Sequence, residues 1–465
     1  MKKIVFLGGG HSNTLAIRNL IQKMTRNKIY DEFNKKFKFY LISEYEKSAY
    51  SGMIPGSICG YYNRDDSFID LIKFSQLHNI EFIQKRVYSL DPINRKLIFY
   101  DKSEFEYDIL SINVGSSTLN SQKLKGASEY TIQTRPINKL LDNLENFEKK
   151  FSEKLKFWDE MSCNGFSIGV IGGGVAGIEL AFSLCYRMRS KFSFDSNVTV
   201  FSKGGDLIQD LEKNVCDELY VLAEARKIKI LKNSEVLEID HNEVIYQNNE
   251  DLKQKLNFDL VILATGAGPQ EFNYNSNLSL DTRGFILVKN TLQSIDYPNI
   301  FGAGDCIQLQ KYGRDDKIFP PKSGVYAVRE AATLADNIYS IITNRGEFFE
   351  YTPQNLFLKL ITMGDKEAYG TKFGLGFYGK WVWNLKEYID VNFVNMFNKN
   401  SSFENFCIKE IMDKNKFFSF NPKDCYHKLF NSSEEEDFTT QLQILDRLNY
   451  DTRLLQEIKE CQNDD

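Results

Sequence analysis

The sequence predicts an α/β fold: two similar three-layer halves built on parallel sheets, followed by an α-rich C-terminal region. Three observations predict it. A pattern of apolar strand, glycine turn and amphipathic helix occurs twice. Each copy then passes through a second strand and short β-rich segments to a closing glycine. Gly8 stands 107 positions before Gly115, and Gly172 stands 94 before Gly266. The 465 residues are also enough for about three domains.

The first copy opens with Lys3-Ile4-Val5-Phe6-Leu7 and the turn Gly8-Gly9-Gly10-His11-Ser12-Asn13. The apolar stretch is too short for a signal peptide and reads as a first strand. Leu15, Ile17, Leu20, Ile21 and Met24 follow at helical spacing. A second strand covers 37–43, and β-rich segments lie near 87–90, 96–100 and 108–114. The half closes at Gly115-Ser116-Ser117. The second copy has a strand at 166–171, the turn Gly172-Gly173-Gly174-Val175-Ala176-Gly177, and a helix through Ile178, Ala181, Leu184, Cys185 and Met188. A strand at 198–201 and short strands near 236–239 and 244–246 lead to Leu260-Val261-Ile262-Leu263-Ala264-Thr265-Gly266. Two Rossmann-like dinucleotide-binding domains are expected, each with an inserted β-meander. The boundaries read as 1–140 and 285–345 for the first domain, 160–284 for the second, and 346–465 for the C-terminal region. The charged stretch 140–160 reads as a solvated connecting helix. Past about Phe397 strand signals fade; 432–437 reads as an exposed acidic loop and 438–461 as helical.

Composition narrows the function. Hydrophobic residues at 42% and charged residues at 26% fit a soluble globular protein. The net charge of −5 leaves no basic excess, so nucleic acid is not an expected partner. No apolar run reaches the length of a spanning helix. The 36 Phe and 24 Tyr beside only 9 Pro fit AT-rich codon usage, so aromatic clusters carry little weight. The eight cysteines contain no CxxC, which points to reduced thiols in a cytoplasm. His11, His78, His241 and His427 show no metal spacing, and no metal is expected.

The glycine turns carry the chemistry. A dinucleotide turn needs one small residue for tightness, one for backbone approach to the pyrophosphate and one for helix–strand packing. The helix N-terminus then faces the phosphates. Gly172, Gly174 and Gly177 meet all three needs. Gly8 and Gly10 meet two; Asn13 replaces the packing glycine, which a slightly looser helix–strand contact would accommodate. Glu44 ends the second strand of the first copy and can accept from an adenosine ribose. In the second copy Lys203 stands there instead. An acid favours NAD and a cation favours NADP, so Lys203 leans toward NADPH while the choice stays open. Farther on, Ile300-Phe301-Gly302-Ala303-Gly304-Asp305 delivers a carboxylate able to grip a flavin's ribityl hydroxyls. Pro320-Pro321-Lys322-Ser323-Gly324-Val325 begins a helix. Its positive end, with Lys322, can stabilise negative charge at the N1–C2=O edge of a reduced flavin.

These ordered motifs resemble the two-dinucleotide-binding-domain flavoproteins of the pyridine nucleotide–disulfide oxidoreductase superfamily. Within it the chain looks like the type II NADH dehydrogenases. A nearer likeness is the FAD domain that some bacteria fuse ahead of selenide, water dikinase. It rests on Gly8-Gly9-Gly10-His11-Ser12, Tyr50-Ser51-Gly52-Met53-Ile54-Pro55-Gly56, Pro321 to Arg329 and Trp381-Val382-Trp383, and covers residues 1 to about 395. No dikinase is encoded here. The resemblance implies FAD held by Gly8, Gly10, His11, Ser12, Glu44, Ser51, Gly115, Asp305 and Ser323. It implies NADH or NADPH held by Gly172, Gly174, Gly177, Lys203 and Gly266. Glu179 approaches the nicotinamide, and Glu179 and Lys322 are the candidate catalytic residues. Asn13, Lys203 and the tail depart from the family pattern.

The expected function is an FAD-dependent oxidoreductase that takes hydride from NAD(P)H and passes electrons to an unidentified acceptor, a quinone by analogy. A disulfide reductase or sulfide oxidase needs paired cysteines, and Cys59 and Cys306 are far apart in sequence. The alternative is a flavin-binding accessory module of selenium metabolism with little turnover. Residues 376–397 form an amphipathic helix that either packs on the FAD domain, contacts a second copy in a homodimer, or lies on the inner face of a membrane.

Overall fold

The computed structural model describes residues 1–398 apart from 156–165, 194–195, 209–210, 250–251, 313–318, 356 and 373. The expected loop at 432–437 and helix at 438–461 lie outside the described residues.

The first sheet has five parallel strands in the order Ile300–Gly302, Ile109–Ile112, Lys2–Leu7, Phe37–Ser43 and Glu81–Gln84. Ile4, Val5 and Phe6 are fully buried. A parallel strand covered on both faces has no solvent side, so it reads as a continuous apolar run. The edge strand Ile300–Gly302 enters from far along the chain, so two separate segments build this sheet. Helix His11–Arg26 packs against helix Gly324–Ile342. The Ser12 hydroxyl fastens the two by donating to the Ala327 carbonyl at 2.8 Å.

The second sheet repeats the plan, in the order Ile132–Gln133, Leu260–Leu263, Phe166–Ile171, Ser196–Phe201 and Ile228–Leu231. Each half carries an antiparallel meander: Val87–Asp91, Lys96–Phe99 and Glu104–Glu106 in the first, Glu235–Asp240, Glu243–Gln247 and Lys253–Asn257 in the second. Both show a register shift within their first strand, between Val87 and Ser89 and between Val236 and Glu238.

Two expectations need correction. Helix Ile137–Leu155 is not a solvated connector. Leu140, Leu144 and Phe151 are buried, and Phe147 and Phe151 lie 5.9 and 4.6 Å from the Phe166 ring. With Phe147 these residues form one helical stripe, which the many charges on the other faces concealed. Glu148 on this helix is buried against Arg187 and Lys191. The C-terminal region also begins with an unexpected antiparallel sheet, Lys359–Thr362, Ala368–Lys372 and Leu375–Gly379. A Cβ on Gly370 would sit 2.0 Å from the Phe377 ring, so the glycine makes room for a neighbouring strand's aromatic.

Helix Lys380–Asn398 then folds back on the first domain. Phe393 contacts His11 and Tyr50, and Phe397 contacts Phe74. Trp383 is buried beside Tyr61 and Tyr62. Leu385 and Phe393 of the helix's apolar face are thus buried inside the protein, whereas Trp381, Tyr388 and Ile389 are half-buried. No helix among the described residues is long and apolar enough to cross a membrane.

Candidate active site

Both glycine turns stand at the C-terminal ends of the central strands, where ligands of open α/β sheets bind. In the second turn the glycines divide their work. A Cβ on Gly172, whose φ is +127°, would lie 2.2 Å from the Ala264 carbonyl oxygen. A Cβ on Gly177 would lie 1.9 Å from the Gly172 carbonyl oxygen. A Cβ on Gly174 would meet nothing within 4 Å. Gly172 and Gly177 serve the chain; Gly174 opens the helix N-terminus of Val175–Phe192 to a ligand. Gly115 and Gly266, at the ends of the neighbouring strands, are equally open.

The first turn is more crowded. Cβ atoms on Gly8 and Gly10 would lie 2.3 and 2.1 Å from Asn113 oxygens. Asn13 does not loosen the contact. Its amide donates to the Leu7, Gly8 and Ser111 carbonyls at 3.1, 2.9 and 3.3 Å, and its side-chain oxygen accepts from the Ser111 hydroxyl at 2.7 Å. An amide that binds strand and turn thus replaces a glycine that merely lets them approach. Ser12 is fully buried and its hydroxyl is committed to the Ala327 carbonyl, so that side chain serves the packing of the two helices.

His11, Ser51 and Ser323 converge where helix Gly324–Ile342 begins. A Cβ on Gly324 would lie 3.7 Å from the Ser51 hydroxyl and 3.8 Å from His11 Nδ1. Burial pushes the His11 imidazole down to about 4, against the opposing pull of Asp305 and the Ala49 carbonyl. His11 is neutral at pH 7, and its buried Nε2 has no hydrogen-bond partner among the described residues. Glu44 is exposed just beyond strand Phe37–Ser43, with Arg86 at 3.6 Å. Arg86 in turn lies 4.3 Å over the Tyr100 ring.

Asp305 sits in the turn Gly304–Cys306. Its carboxylate accepts from the Ser116 hydroxyl at 3.2 Å and faces Arg135 Nη2 at 3.2 Å. Arg135 Nη1 is buried without a hydrogen-bond partner among the described residues. Sequence reasoning missed both Arg86 and Arg135, because isolated arginines in loops carry no periodic signal. The Gly304 N–H donates to Glu330 at 2.5 Å, and burial pushes that carboxyl up to about 7. Lys322 donates to the Ile307 carbonyl and lies 4.4 Å over the Phe285 ring. Burial lowers its ammonium, while Asp305 and Glu330 draw it back. Asp305, Lys322, Ser323, Tyr326 and Glu330 line one recess.

Glu179 was expected near the nicotinamide, and the fold gives it further neighbours. Its carboxylate accepts from the Thr362 N–H at 2.9 Å. Burial raises its pKa, only partly offset by Lys386. Lys386 donates to the Gly52 carbonyl at 2.5 Å and to Asp390 at 2.6 Å. Burial opposes the Lys386 charge, but Asp390 and Glu179 outweigh it and hold the ammonium above its ordinary value. The Tyr50 hydroxyl donates to the other Asp390 oxygen at 3.0 Å. Helix Val175–Phe192, the Tyr50–Gly52 segment and the last helix thus meet in one charged cluster. Lys386 and Asp390 were missed because the groups that give them a role, Glu179, Gly52 and Tyr50, are more than 200 positions away along the chain.

The sequence profile of the pyridine nucleotide-disulphide oxidoreductases matches residues 2–332. The chain belongs to that family. A type II NADH:quinone oxidoreductase of Haemophilus influenzae is 24% identical over 420 residues, covering 80% of this chain and 88% of its own. The sulfide:quinone oxidoreductase of Aquifex aeolicus is similar in structure, with TM-score 0.70 at 18% identity, covering 89% of this chain and 95% of its own. NDH2 from Plasmodium falciparum in complex with NADH gives TM-score 0.70 at 17% identity, covering 87% and 98%. This oxidoreductase therefore uses FAD and NADH or NADPH as cofactors. The open Gly115, Gly174 and Gly266 and the unpartnered Arg135 and His11 nitrogens fit such ligands. Unlike a disulfide reductase, it has no thiol pair among the described residues: Cys59, Cys185, Cys216 and Cys306 are free and buried. Burial pushes the Cys59 and Cys306 thiols up to about 12, far from a reactive thiolate.

Proposed function

We propose that this oxidoreductase takes hydride from a nicotinamide nucleotide on the second glycine turn and delivers the electron pair, through FAD in the first domain, to a quinone-type acceptor. The observation that carries the reading is the cluster of half-buried Glu179 with buried Lys386 and Asp390. FAD supplies the two-electron store between the two substrates. The chain supplies position and proton handling. Gly174 admits the nucleotide's pyrophosphate to the helix N-terminus. Asp305 holds the ribityl chain, with Arg135 and Ser116 orienting its carboxylate, and Glu44 takes the adenosine ribose. Lys322 and the N-terminus of helix Gly324–Ile342 supply positive potential for the flavin edge, beside Ser323, Ser51 and the neutral His11.

The overall balance is NAD(P)H + H⁺ + quinone → NAD(P)⁺ + quinol. A quinone that gains two electrons must also gain two protons. Glu179 retains its proton to a higher pH than an ordinary carboxyl, and Lys386 stands beside it as a fixed cation. That pair suits a proton donor at the point where the acceptor is reduced. The buried Tyr62 hydroxyl and Trp383 Nε1 have no hydrogen-bond partner among the described residues and suit a polar headgroup, and Trp383 stands on the helix that carries Lys386 and Asp390. The quinone oxidoreductases among the relatives support the acceptor class. A non-catalytic flavin module of selenium metabolism would not need the charged cluster.

Anaerobic stopped-flow absorbance tests the reading. NADH or NADPH should bleach the oxidised flavin, and a soluble quinone should restore it rapidly. A flavin that neither nucleotide bleaches would end the hydride reading. Bleaching followed by restoration no faster with quinone than without it would end the quinone assignment.

A further inference from the structure

The second domain lacks the acid that should follow its second strand. Strand Ser196–Phe201 is followed by Ser202 and Lys203. The next acid along the chain, Asp206, lies close enough to Cys216 to act, with burial, in raising that thiol. The structure fills the gap from elsewhere. Ser202 abuts the glycine turn: a Cβ on Gly173 would lie 2.5 Å from its hydroxyl. The Ser202 carbonyl accepts from the Ser234 N–H at 2.8 Å, and the Gly204 carbonyl accepts from the Asn233 N–H at 3.0 Å. These two bonds stitch the approach to the meander along residues 202–204. Glu235, the first residue of strand Glu235–Asp240, is thereby delivered beside Lys203, with Nζ and Oε1 2.6 Å apart.

A nucleotide whose pyrophosphate rests on Gly174 extends its adenosine ribose toward this strand end. We propose that Glu235 is the ribose-recognising carboxylate of the second domain and selects NADH over NADPH, with Lys203 holding Glu235 in place. The inference rests on the reading that the Gly172–Gly177 turn binds a nicotinamide nucleotide. A carboxylate accepts from ribose hydroxyls, whereas a 2′-phosphate would bring further negative charge against it. Lys203 is already engaged by Glu235 rather than turned to a 2′-phosphate. This reverses the preference that the strand-end lysine suggests in sequence.

The test is calorimetric titration of the holoprotein with NAD⁺ and with NADP⁺, alongside flavin reduction by NADH and NADPH. Wild type should bind NAD⁺ the more tightly. Glu235→Gln should weaken NAD⁺ about tenfold, the loss of one charged hydrogen bond. Glu235→Arg should bring NADP⁺ binding up. A wild-type preference for NADP⁺, unchanged NAD⁺ affinity in Glu235→Gln, or a selective loss of NADP⁺ binding in Lys203→Ala would each overturn the assignment while leaving the turn as a nucleotide site. Binding of neither nucleotide by wild type would overturn the site itself, and Glu235 with it.

Discussion

Lys386 and Asp390, one turn apart on the last described helix, form a 2.6 Å ion pair with side chains only 6% and 8% exposed. Each satisfies a group on the first domain as well, Lys386 the Gly52 carbonyl and Asp390 the Tyr50 hydroxyl. Two desolvated charges in this position are tolerable only while both are present. Asp390→Ala would leave the ammonium buried near Glu179 without its main partner. It is expected to cost about 3–5 kcal/mol of stability. Replacing both residues by apolar side chains of similar volume should recover much of that loss. Urea unfolding of the single and double variants measures both quantities, and a single-variant cost below about 1 kcal/mol would show a solvated pair.

The second glycine turn predicts opposite outcomes for three similar substitutions. Gly172→Ala and Gly177→Ala would drive Cβ atoms into carbonyl oxygens at 2.2 and 1.9 Å, so both should destabilise the fold. Gly174→Val enters open space and should leave stability and FAD content intact. It should abolish flavin reduction by either nicotinamide nucleotide, because the side chain occupies the path of the pyrophosphate. Thermal unfolding and stopped-flow reduction separate the three; wild-type reduction in Gly174→Val would show that this turn binds no nucleotide.

Asp305→Ala removes the carboxylate proposed to hold the ribityl hydroxyls and strands Arg135. A charged hydrogen bond is worth about 1.5–3 kcal/mol, so FAD affinity should fall roughly 10- to 150-fold. Equilibrium dialysis of the apoprotein against FAD gives the number directly. An unchanged affinity would remove Asp305 from the flavin site.

Glu330 predicts a pH dependence. Burial raises its folded pKa from 4.5 to about 7, with the Gly304 N–H and Lys322 opposing and Asp305 assisting. The folded state therefore holds a proton that the unfolded state releases. The stabilisation is fully present below about pH 4.5 and is lost as pH rises through 7, up to about 3 kcal/mol. Glu330→Gln keeps an acceptor for Gly304 and cannot ionise. Wild type should thus lose stability relative to Glu330→Gln between pH 4.5 and 7, as followed by urea midpoints. A pH-independent difference would mean that Glu330 does not titrate in this window.

Trp383 is 1% exposed, whereas Trp381 is half-buried and stacks on Phe377. Trp383→Ala should cost roughly 3–5 kcal/mol through the cavity it leaves. Trp381→Ala should cost clearly less, because solvent fills much of the space. Equal costs in thermal or urea unfolding would contradict this burial.

The sequence by itself determined the two halves, their order and the glycine turns. These features are local: a strand, a turn and a helix are specified by adjacent residues, and each half repeats the same instruction. It also placed Asp305 and Glu179 on their elements. It misjudged the 137–155 helix, because an apolar stripe among many charges does not announce what will cover it. It did not find the 359–379 sheet, where glycines stand opposite aromatics on a neighbouring strand. Only the tertiary structure decided what the key side chains face: Arg135 on Asp305, Lys386 and Asp390 near Glu179, Glu235 on Lys203. Charges and hydrogen bonds act over a few ångströms of space and carry no periodicity along the chain. Partners 30 to more than 300 positions apart become legible only when folding brings them together.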